Sequence, residues 1–498
     1  MAAVAVLAGF AALSGGFWVA KHETDTLHLF DIVLRRAAGE VPHIDYMTPL
    51  GVLAFEPFAL LHRAGLELGA ALVWGQVLVA AVLAPAAWWV AVRRMPMPVA
   101  IAFGLMIVLL AAGMVYGGTD TKLSLSMHYN RWAWALAFLA LAVVALPAER
   151  EAPLADGCVV GLAMAALAVI KATYFVAFAP AVLVGLVLRG MGRTLGVAAL
   201  AGLGVLGVLT LSFGGAIWSA YVGDLLAVMG SDVRAAPAGA AWAEVVLSPK
   251  YAGSTFLAVA TVMMLRRRPE HRGVWLVLAL MLPGALYATY QNFGNDPMWL
   301  LFWAVVMFSL PEAAVGWGRE RVIGAVAVAL ILPVALNIAI SPARQLVQPK
   351  AVFSRMFPDA EGRSDVFAVT ARMETIEGRM ALAKEGGKCQ LAGGAVGWMR
   401  AQADALVEAQ HGEAKVFVAD LFNALWLFGD VERLRNGAPW VYGGLPGFDE
   451  AEVLVVPKCP IDKRLSARMN ERIMMQLSGV KLTQDFENDL MVVYEISR

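Results

Sequence analysis

The chain has 498 residues, 60% of them hydrophobic and only 16% charged, with 39 basic against 39 acidic side chains and a formal net charge of zero. Soluble domains are about half apolar and a quarter charged, so this balance excludes an ordinary soluble domain and points to a polytopic membrane protein. No run of Lys or Arg marks a nucleic-acid surface, and the useful charge signal is where the charges sit along the chain.

A membrane-crossing helix needs about 20 mostly apolar residues. The first apolar stretch, residues 2–20, has no basic flank and is followed by many others, so it reads as a retained span and not a cleaved leader. Further spans are expected near 66–92, 98–116, 132–147, 157–170, 173–189, 195–217, 252–265, 273–290, 298–310 and 322–340, about eleven in all. Pro49, Gly51 and Pro57 interrupt the segment 48–65, and Glu56, His62 and Arg63 punctuate it, which predicts an interfacial or half-inserted helix.

Basic residues in short loops set the orientation. Arg93 and Arg94, Arg150, Arg189 and Arg193, Arg266, Arg267, Arg268 and Arg272, and Arg319 and Arg321 fall in one set of connections, which is therefore expected to be cytoplasmic. The opposite set, 21–47, 117–131, 218–251 and 291–297, is sparser in Lys and Arg and is expected to face the periplasm or exterior of an inner (plasma) membrane. An odd number of spans places everything beyond residue 340 on that outer side as well.

Residues 341–498 are more polar and read as an extracytoplasmic α/β domain of roughly 150 residues, separate from the membrane domain 1–340 with its outer loop 21–65. Ser364 and Asp365 can cap a helix running to about Lys384, and Pro460 can open another reaching Leu477. Strands are expected at 415–421, at 452–457, and as a pair around 480–496 turning near Glu487, Asn488 and Asp489. The three cysteines make no metal motif. Cys389 and Cys459, both on the oxidising side, are candidates for a disulfide or for two buried thiols, whereas Cys158 sits alone in a span.

The unusual residues gather on the outer side. The loop after the first span, KHETDTLHLFDIVLRRAAGEVPHIDYMTPLG, carries Glu23, Asp25, Asp31, Glu40 and Asp45 in a short distance. Carboxylates this close to a bilayer face water, a cation or a polar ligand, so the cluster is a candidate site. The alternative is an amphipathic interfacial helix with Leu27, Phe30, Val33 and Leu34 in lipid and its charges in water. The 117–131 loop ends in SMHYNRW, presenting His128, Tyr129, Asn130 and Arg131, and Lys171 lies in VIKATYF between two apolar runs. The later outer loop YQNFGNDP supplies Gln291, Asn292, Asn295 and Asp296. Arg131 reads equally as a snorkelling side chain, and Asp296 before Pro297 as a helix cap. Lys171 lies deep enough in apolar sequence to call for an anionic partner. Trp132, Trp134, Trp299 and Trp303 read as an aromatic belt.

Transfer of a sugar from a polyprenyl-phosphate carrier to a hydroxyl needs this combination. A carboxylate takes the acceptor proton, cations stabilise charge on the departing phosphate, and a groove between helices takes the lipid. The loop itself resembles the first outer loop of the GT-C superfamily of membrane glycosyltransferases, of the dolichyl-phosphate-mannose mannosyltransferase-like kind. That family has an acid just after the first span, an interfacial helix, a Gly, a Pro-aromatic-x-Asp and a Pro-x-Gly. Asp25 falls at the position of the base, with Gly39, Pro42, Asp45, Pro49 and Gly51 at the later positions. The chain departs from the pattern where Thr26 follows Asp25 and where His43 replaces the aromatic, which leaves Glu23 as an alternative base. The similarity is tightest over residues 1–95, extends as layout to about 340, and does not reach the C-terminal domain.

The resemblance implies a polyprenyl-phosphate-linked sugar donor, a glycan, lipid or protein acceptor, transfer on the outer side, and in some members a divalent cation. On this reading Asp25 or Glu23 is catalytic. His28, Asp45, His128, Tyr129, Asn130, Arg131, Lys171, Gln291, Asn292 and Asp296 contact substrates. A transporter or flippase of lipid-linked sugar is the rival; it calls for charges spread through the bilayer thickness and for matching halves, and the sequence has neither.

Overall fold

The computed structural model describes residues 1–231, 247–291, 296–314, 318–358, 360–369, 373–376, 389–475 and 481–498. It is a mostly helical protein of membrane character with a small C-terminal sheet region. The apolar helices are α1 (Ala2–Leu13), α4 (Leu68–Arg94), α5 (Met97–Ala112), α6 (His128–Ala145), α7 (Pro153–Ile170), α8 (Ala172–Leu188), α9 (Gly192–Phe213), α10 (Ala216–Met229), α11 (Pro249–Arg266), α12 (Arg272–Gln291), α13 (Trp299–Ser309) and α14 (Arg319–Arg344). Five of the described helices, α4, α7, α9, α12 and α14, are long and apolar enough to cross a membrane by length and composition.

Each expected span coincides with a helix, with two differences. The first helix stops at Leu13: Ser14 turns its hydroxyl back to Ala11 O at 2.9 Å, and Gly15 and Gly16 at positive φ swing the chain into a strand, β1 (Phe17–Val19). At Gly16 a Cβ would lie 2.2 Å from the carbonyl oxygen of Asp365, so only glycine permits that approach. The second difference is α10, which occupies the front of the expected loop 218–251, because AIWSAYVGDLLAVM is apolar with Asp224 as its one charged residue.

The four tryptophans expected at the membrane interface are instead interior. Trp132, Trp134, Trp299 and Trp303 are all fully buried. Trp134 packs edge-on against Tyr174 at 5.3 Å, Phe138 stacks on Phe302 at 5.5 Å, and Trp132 donates its Nε1–H to Gln76 Oε1 at 2.8 Å. Large aromatics fill a bundle core efficiently, here even at the cost of the Trp299 and Trp303 indole N–H groups, which are buried without a hydrogen-bond partner among the described residues.

The C-terminal part opens differently from the expected helix at 364–384. Residues 366–369 form β3 (Val366–Val369) and 373–376 form β4 (Met373–Ile376), while 377–388 lie outside the described residues. Val366-Phe367-Ala368-Val369 alternates buried and half-buried positions, the period of a strand. β3 pairs in parallel with β1 and antiparallel with β2 (Phe353–Arg355). Asp365 does cap a helix, though a remote one: its carboxylate accepts from Gly69 N at 2.7 Å and Ala70 N at 2.6 Å, in the first turn of α4. The first and last thirds of the chain are thereby stitched together. Beyond β5 (Cys389–Ala392) comes α15 (Gly394–Glu408), on the helical pattern that follows Cys389 in the sequence. The strands β6 (Val416–Val418), β7 (Val453–Pro457), β8 (Lys481–Glu487) and β9 (Met491–Ser497) lie where expected and form a sheet in the order β6-β7-β9-β8. Asp462, one residue before α16 (Lys463–Met475), accepts from Arg464 N and Leu465 N at 3.0 Å, the geometry of an N-cap; Leu477 lies outside the described residues. Cys459 is disulfide-bonded and Cys158 is a free thiol; the side chain of Cys389 lies outside the described residues.

The interfacial loop forms α2 (Glu23–Ala37) and α3 (Glu56–Arg63). The expectation that Leu27, Phe30 and Val33 face lipid is overturned: all three are fully buried in protein, Phe30 against Phe357 at 5.9 Å. Nor do the charges of α2 all face water. Asp31 is wholly buried and ion-paired to Arg35 at 2.5 Å. Arg35 also reaches Glu40 at 3.0 Å and the carbonyl of Leu434 in the C-terminal domain at 3.1 Å. Trp426 of that domain donates to Asp31 at 3.3 Å, and Arg433 meets Glu40 at 3.1 Å. Burial pushes the Asp31 carboxyl above its ordinary range despite Arg35.

The first of two outcomes follows from this arrangement, and the second tests the orientation expected from the loop charges. Arg35→Ala strands the buried Asp31 carboxylate and should cost about 3–5 kcal/mol, read as a lowered thermal midpoint and faster proteolysis of the C-terminal domain; an unchanged midpoint would remove the pair from the interface. A reporter active only outside the cytoplasm should work when fused after residue 340, and activity only of a cytoplasmic reporter there would invert the topology.

Candidate functional site

A cavity of about 540 Å³ lies at the end of the bundle that carries α2. Its floor and walls come from segments far apart in sequence. Asp25, His28 and Leu29 project from the first turns of α2, and Pro49 and Leu50 from the turn before α3. Residues 125–129 enter at the start of α6, and Lys171 at the break between α7 and α8. Tyr287 and Gln291 come from the end of α12.

Two turns aim these groups, and both use backbone that ordinary residues avoid. His22, before α2, sits at φ 57°, and Met127, before α6, at φ 55°. Left-handed backbone at non-glycine residues costs of order 1 kcal/mol each and persists where the surroundings impose it, often beside a site. The first turn starts a helix whose positions 25 and 28 share one face. The second presents Ser126, whose hydroxyl donates to Asp25 Oδ2, together with His128 and Tyr129. The ring of His22 approaches Ser124 Oγ at 3.3 Å, so the two turns brace one another.

Lys171 is the cation of the cavity. Backbone between α7 and α8 is extended there, with Lys171 at φ −154°, which releases the side chain from both helices. Its ammonium donates to Asn130 Oδ1 at 2.8 Å and lies 5.1 Å from the ring centre of Tyr129 and 5.8 Å from that of Tyr174. A polar amide and two π faces both help to hold a cation in apolar surroundings. His128 is fixed rather than mobile: Nε2 lies 2.7 Å from Ala54 O and Nδ1 3.2 Å from Leu125 O.

Of the residues expected at a site, Asp25, His28, His128, Tyr129, Lys171 and Gln291 line this one cavity. Asn130 stands behind it as the partner of Lys171. The others are placed elsewhere. Arg131 is buried against main chain, donating to Val115 O at 2.5 Å and Gly113 O at 2.8 Å, and so closes the C-terminal end of α5. Asp296 accepts from Gly118 N at 2.6 Å and does not cap α13, which has no side-chain cap. Asp45 accepts from Val41 N at 2.7 Å and pins its own turn. Glu23 is buried and is not on the cavity lining. Asn292 lies outside the described residues.

Several lining groups were not anticipated. Ser126 precedes the singled-out His128 by two residues and carried no signal of its own. Trp440 and Tyr442 arrive from the C-terminal domain. Leu225, Val228 and Met229 come from α10, held in place by Asp224, which meets His43 Nδ1 at 2.8 Å and Thr48 N at 3.0 Å. Val176 and Met229 are 67% and 82% exposed as well as lining the cavity, so this apolar wall reaches the surface of the bundle.

A divalent cation fits the described residues poorly. The lining offers one carboxylate, Asp25, and the His128 nitrogens are occupied by carbonyls. The described groups with metal-ligand spacing, Glu270 with His271 and Glu312, and His411 with Asp485 and Glu495, are not on the lining.

Gly51 sets the cavity wall. It donates to Ile170 O at 3.1 Å, and a Cβ there would sit 2.2 Å from Val169 O, a backbone atom that cannot step aside. Gly51→Ala should force Pro49 and Leu50 from the end of α7, lowering stability by about 1–3 kcal/mol; a thermal midpoint equal to wild type would show that the wall yields freely. Comparison of the chain with family models, with curated proteins and with solved structures found no match in any of the three.

Proposed function

We propose that this protein is a membrane glycosyltransferase that moves a sugar from a polyprenyl-phosphate carrier to a hydroxyl acceptor at the outer face of the membrane. The observation that carries the reading is the convergence of Asp25 and Lys171, an acid and a cation from distant segments, on one cavity with an apolar wall that reaches the surface of the bundle. The resemblance of the loop around Asp25 to the GT-C superfamily supports the same reading.

The chemistry follows from the placement. The acceptor hydroxyl lies beside Asp25, whose carboxylate takes its proton as the oxygen attacks the anomeric carbon. The bond from that carbon to the phosphate oxygen breaks, and the electron pair leaves with the phosphate. Lys171 stabilises the charge developing there, and holding the ammonium on Asn130 before substrate arrives spares reorganisation during the reaction. Ser126, donating to Asp25, fixes which carboxylate oxygen faces the acceptor. The apolar α10 wall with Val176 accommodates the lipid chain. Arg131 has no part in phosphate binding on this reading, because main-chain carbonyls occupy it. No step is routed through a metal.

Membrane vesicles supplied with radiolabelled lipid-linked sugar test the proposal. Asp25→Asn should lower transfer by about 10²- to 10⁴-fold, and Lys171→Ala should also lower turnover sharply, both at wild-type protein level. Retained wild-type turnover in Asp25→Asn would sink the assignment, and lipid translocation without any sugar transfer would favour a flippase.

A further inference from the structure

The C-terminal domain does more than rest on the membrane half. Its segment 436–442 leaves a turn at Asn436 and runs along the outer loop: Asn436 N donates to Asp45 O at 2.8 Å, and Met47 N donates to Gly437 O at 3.0 Å. On its other side Trp440 bridges antiparallel to Phe422, and Val441 N donates to Leu421 O at 2.9 Å. Alternate residues of an extended segment face opposite ways. Val441 is fully buried in the domain's own core with Leu454 and Phe417, while Trp440 and Tyr442 both line the cavity. The ring of Trp440 lies 5.6 Å from that of His28, one turn along α2 from Asp25. Ser231, just after α10, donates to the carbonyl of Tyr442, fastening the segment from a second side.

We propose that Trp440 and Tyr442 form a sugar-ring subsite on the acceptor side of the cavity, so that the C-terminal domain supplies specificity to a reaction run by the membrane half. This rests on the glycosyltransferase reading. A pyranose ring presents an apolar C–H face and a rim of hydroxyls. Trp440 offers a flat aromatic face held rigid by ladder bonds, and His28, Asp25 and Gln291 on the same lining offer donors and acceptors for the rim. The acceptor side is assigned because Trp440 neighbours the helix that carries Asp25, whereas Lys171 is engaged with Tyr129 and Asn130.

The test uses the full-length protein in nanodiscs and a panel of methyl glycosides of hexoses and pentoses, read by saturation-transfer NMR. Wild type should saturate the ring protons of at least one glycoside. Trp440→Ala should weaken that binding by about fivefold or more, and Trp440→Phe, which keeps an aromatic face, by less than about threefold. Thermal midpoint and an intact Cys459 disulfide serve as the folding control, and if Trp440→Ala fails it the comparison is made with Trp440→Leu. No saturation of any glycoside by wild type, or equal binding by wild type and a correctly folded Trp440→Ala or Trp440→Leu, overturns the subsite. The two readings fail separately. If Asp25→Asn keeps full transfer while glycoside contacts still depend on Trp440, the catalytic assignment falls and the subsite stands. If Asp25→Asn abolishes transfer and Trp440 leaves glycoside contacts unmoved, the subsite falls alone.

Discussion

One buried guanidinium holds the two halves of this protein in register. Arg35 lies between Asp31 and Glu40 of the outer loop and the Leu434 carbonyl of the C-terminal domain, flanked by the rings of Tyr46 and Trp426 at 5.8 and 5.7 Å. An ion pair taken out of water gains little net stability, because desolvation offsets most of the attraction. Its value here is directional. A planar fork with fixed donors accepts few arrangements of its partners, so α2 can meet the domain in one way.

That single docking determines what reaches the cavity. With α2 fixed by Arg35, Asp25 and His28 on its first turns face inward, and the segment carrying Trp440 comes down beside them. Two further ties work in the same sense: the parallel pairing of β1 with β3, and the Asp365 carboxylate on the first turn of α4. The domain is thus anchored at both ends of the outer loop, and a cavity lined by both halves keeps its shape.

The charges separate by task along the bundle. At the end opposite the cavity, Arg94 pairs with Asp156 at 2.6 Å, and Arg268 lies 2.9 Å from Glu320 and 3.3 Å from Glu312, while His271 meets Glu312 at 2.7 Å. There cations meet acids and neutralise one another. On the cavity lining Asp25 accepts from the Ser126 hydroxyl, and among the described residues Lys171 meets the Asn130 amide and the rings of Tyr129 and Tyr174. Polar contacts of this kind orient each charge within apolar surroundings.

The sequence by itself determined the membrane character, the position of nearly every helix and the sheet strands after residue 415, and it singled out Asp25 and Lys171 as candidates. Each of these follows from local information: apolar run length, residue periodicity, and the cost of a charge in apolar sequence. Only the tertiary structure decided which polar residues share a space. Arg131 and Asp296 stood beside Lys171 and Gln291 among the expected substrate contacts, each with a plainer reading as a snorkelling cation or a helix cap, and what set them apart is that a remote carbonyl or amide reaches them. Asp365 read as the cap of the segment that follows it and is the cap of a helix almost three hundred residues earlier, because a carboxylate binds whichever unsatisfied amides the fold brings near. Nothing in the sequence singled out Trp440 and Tyr442; that they line a cavity of the membrane half depends on docking, and docking is a property of two surfaces and not of either sequence segment alone.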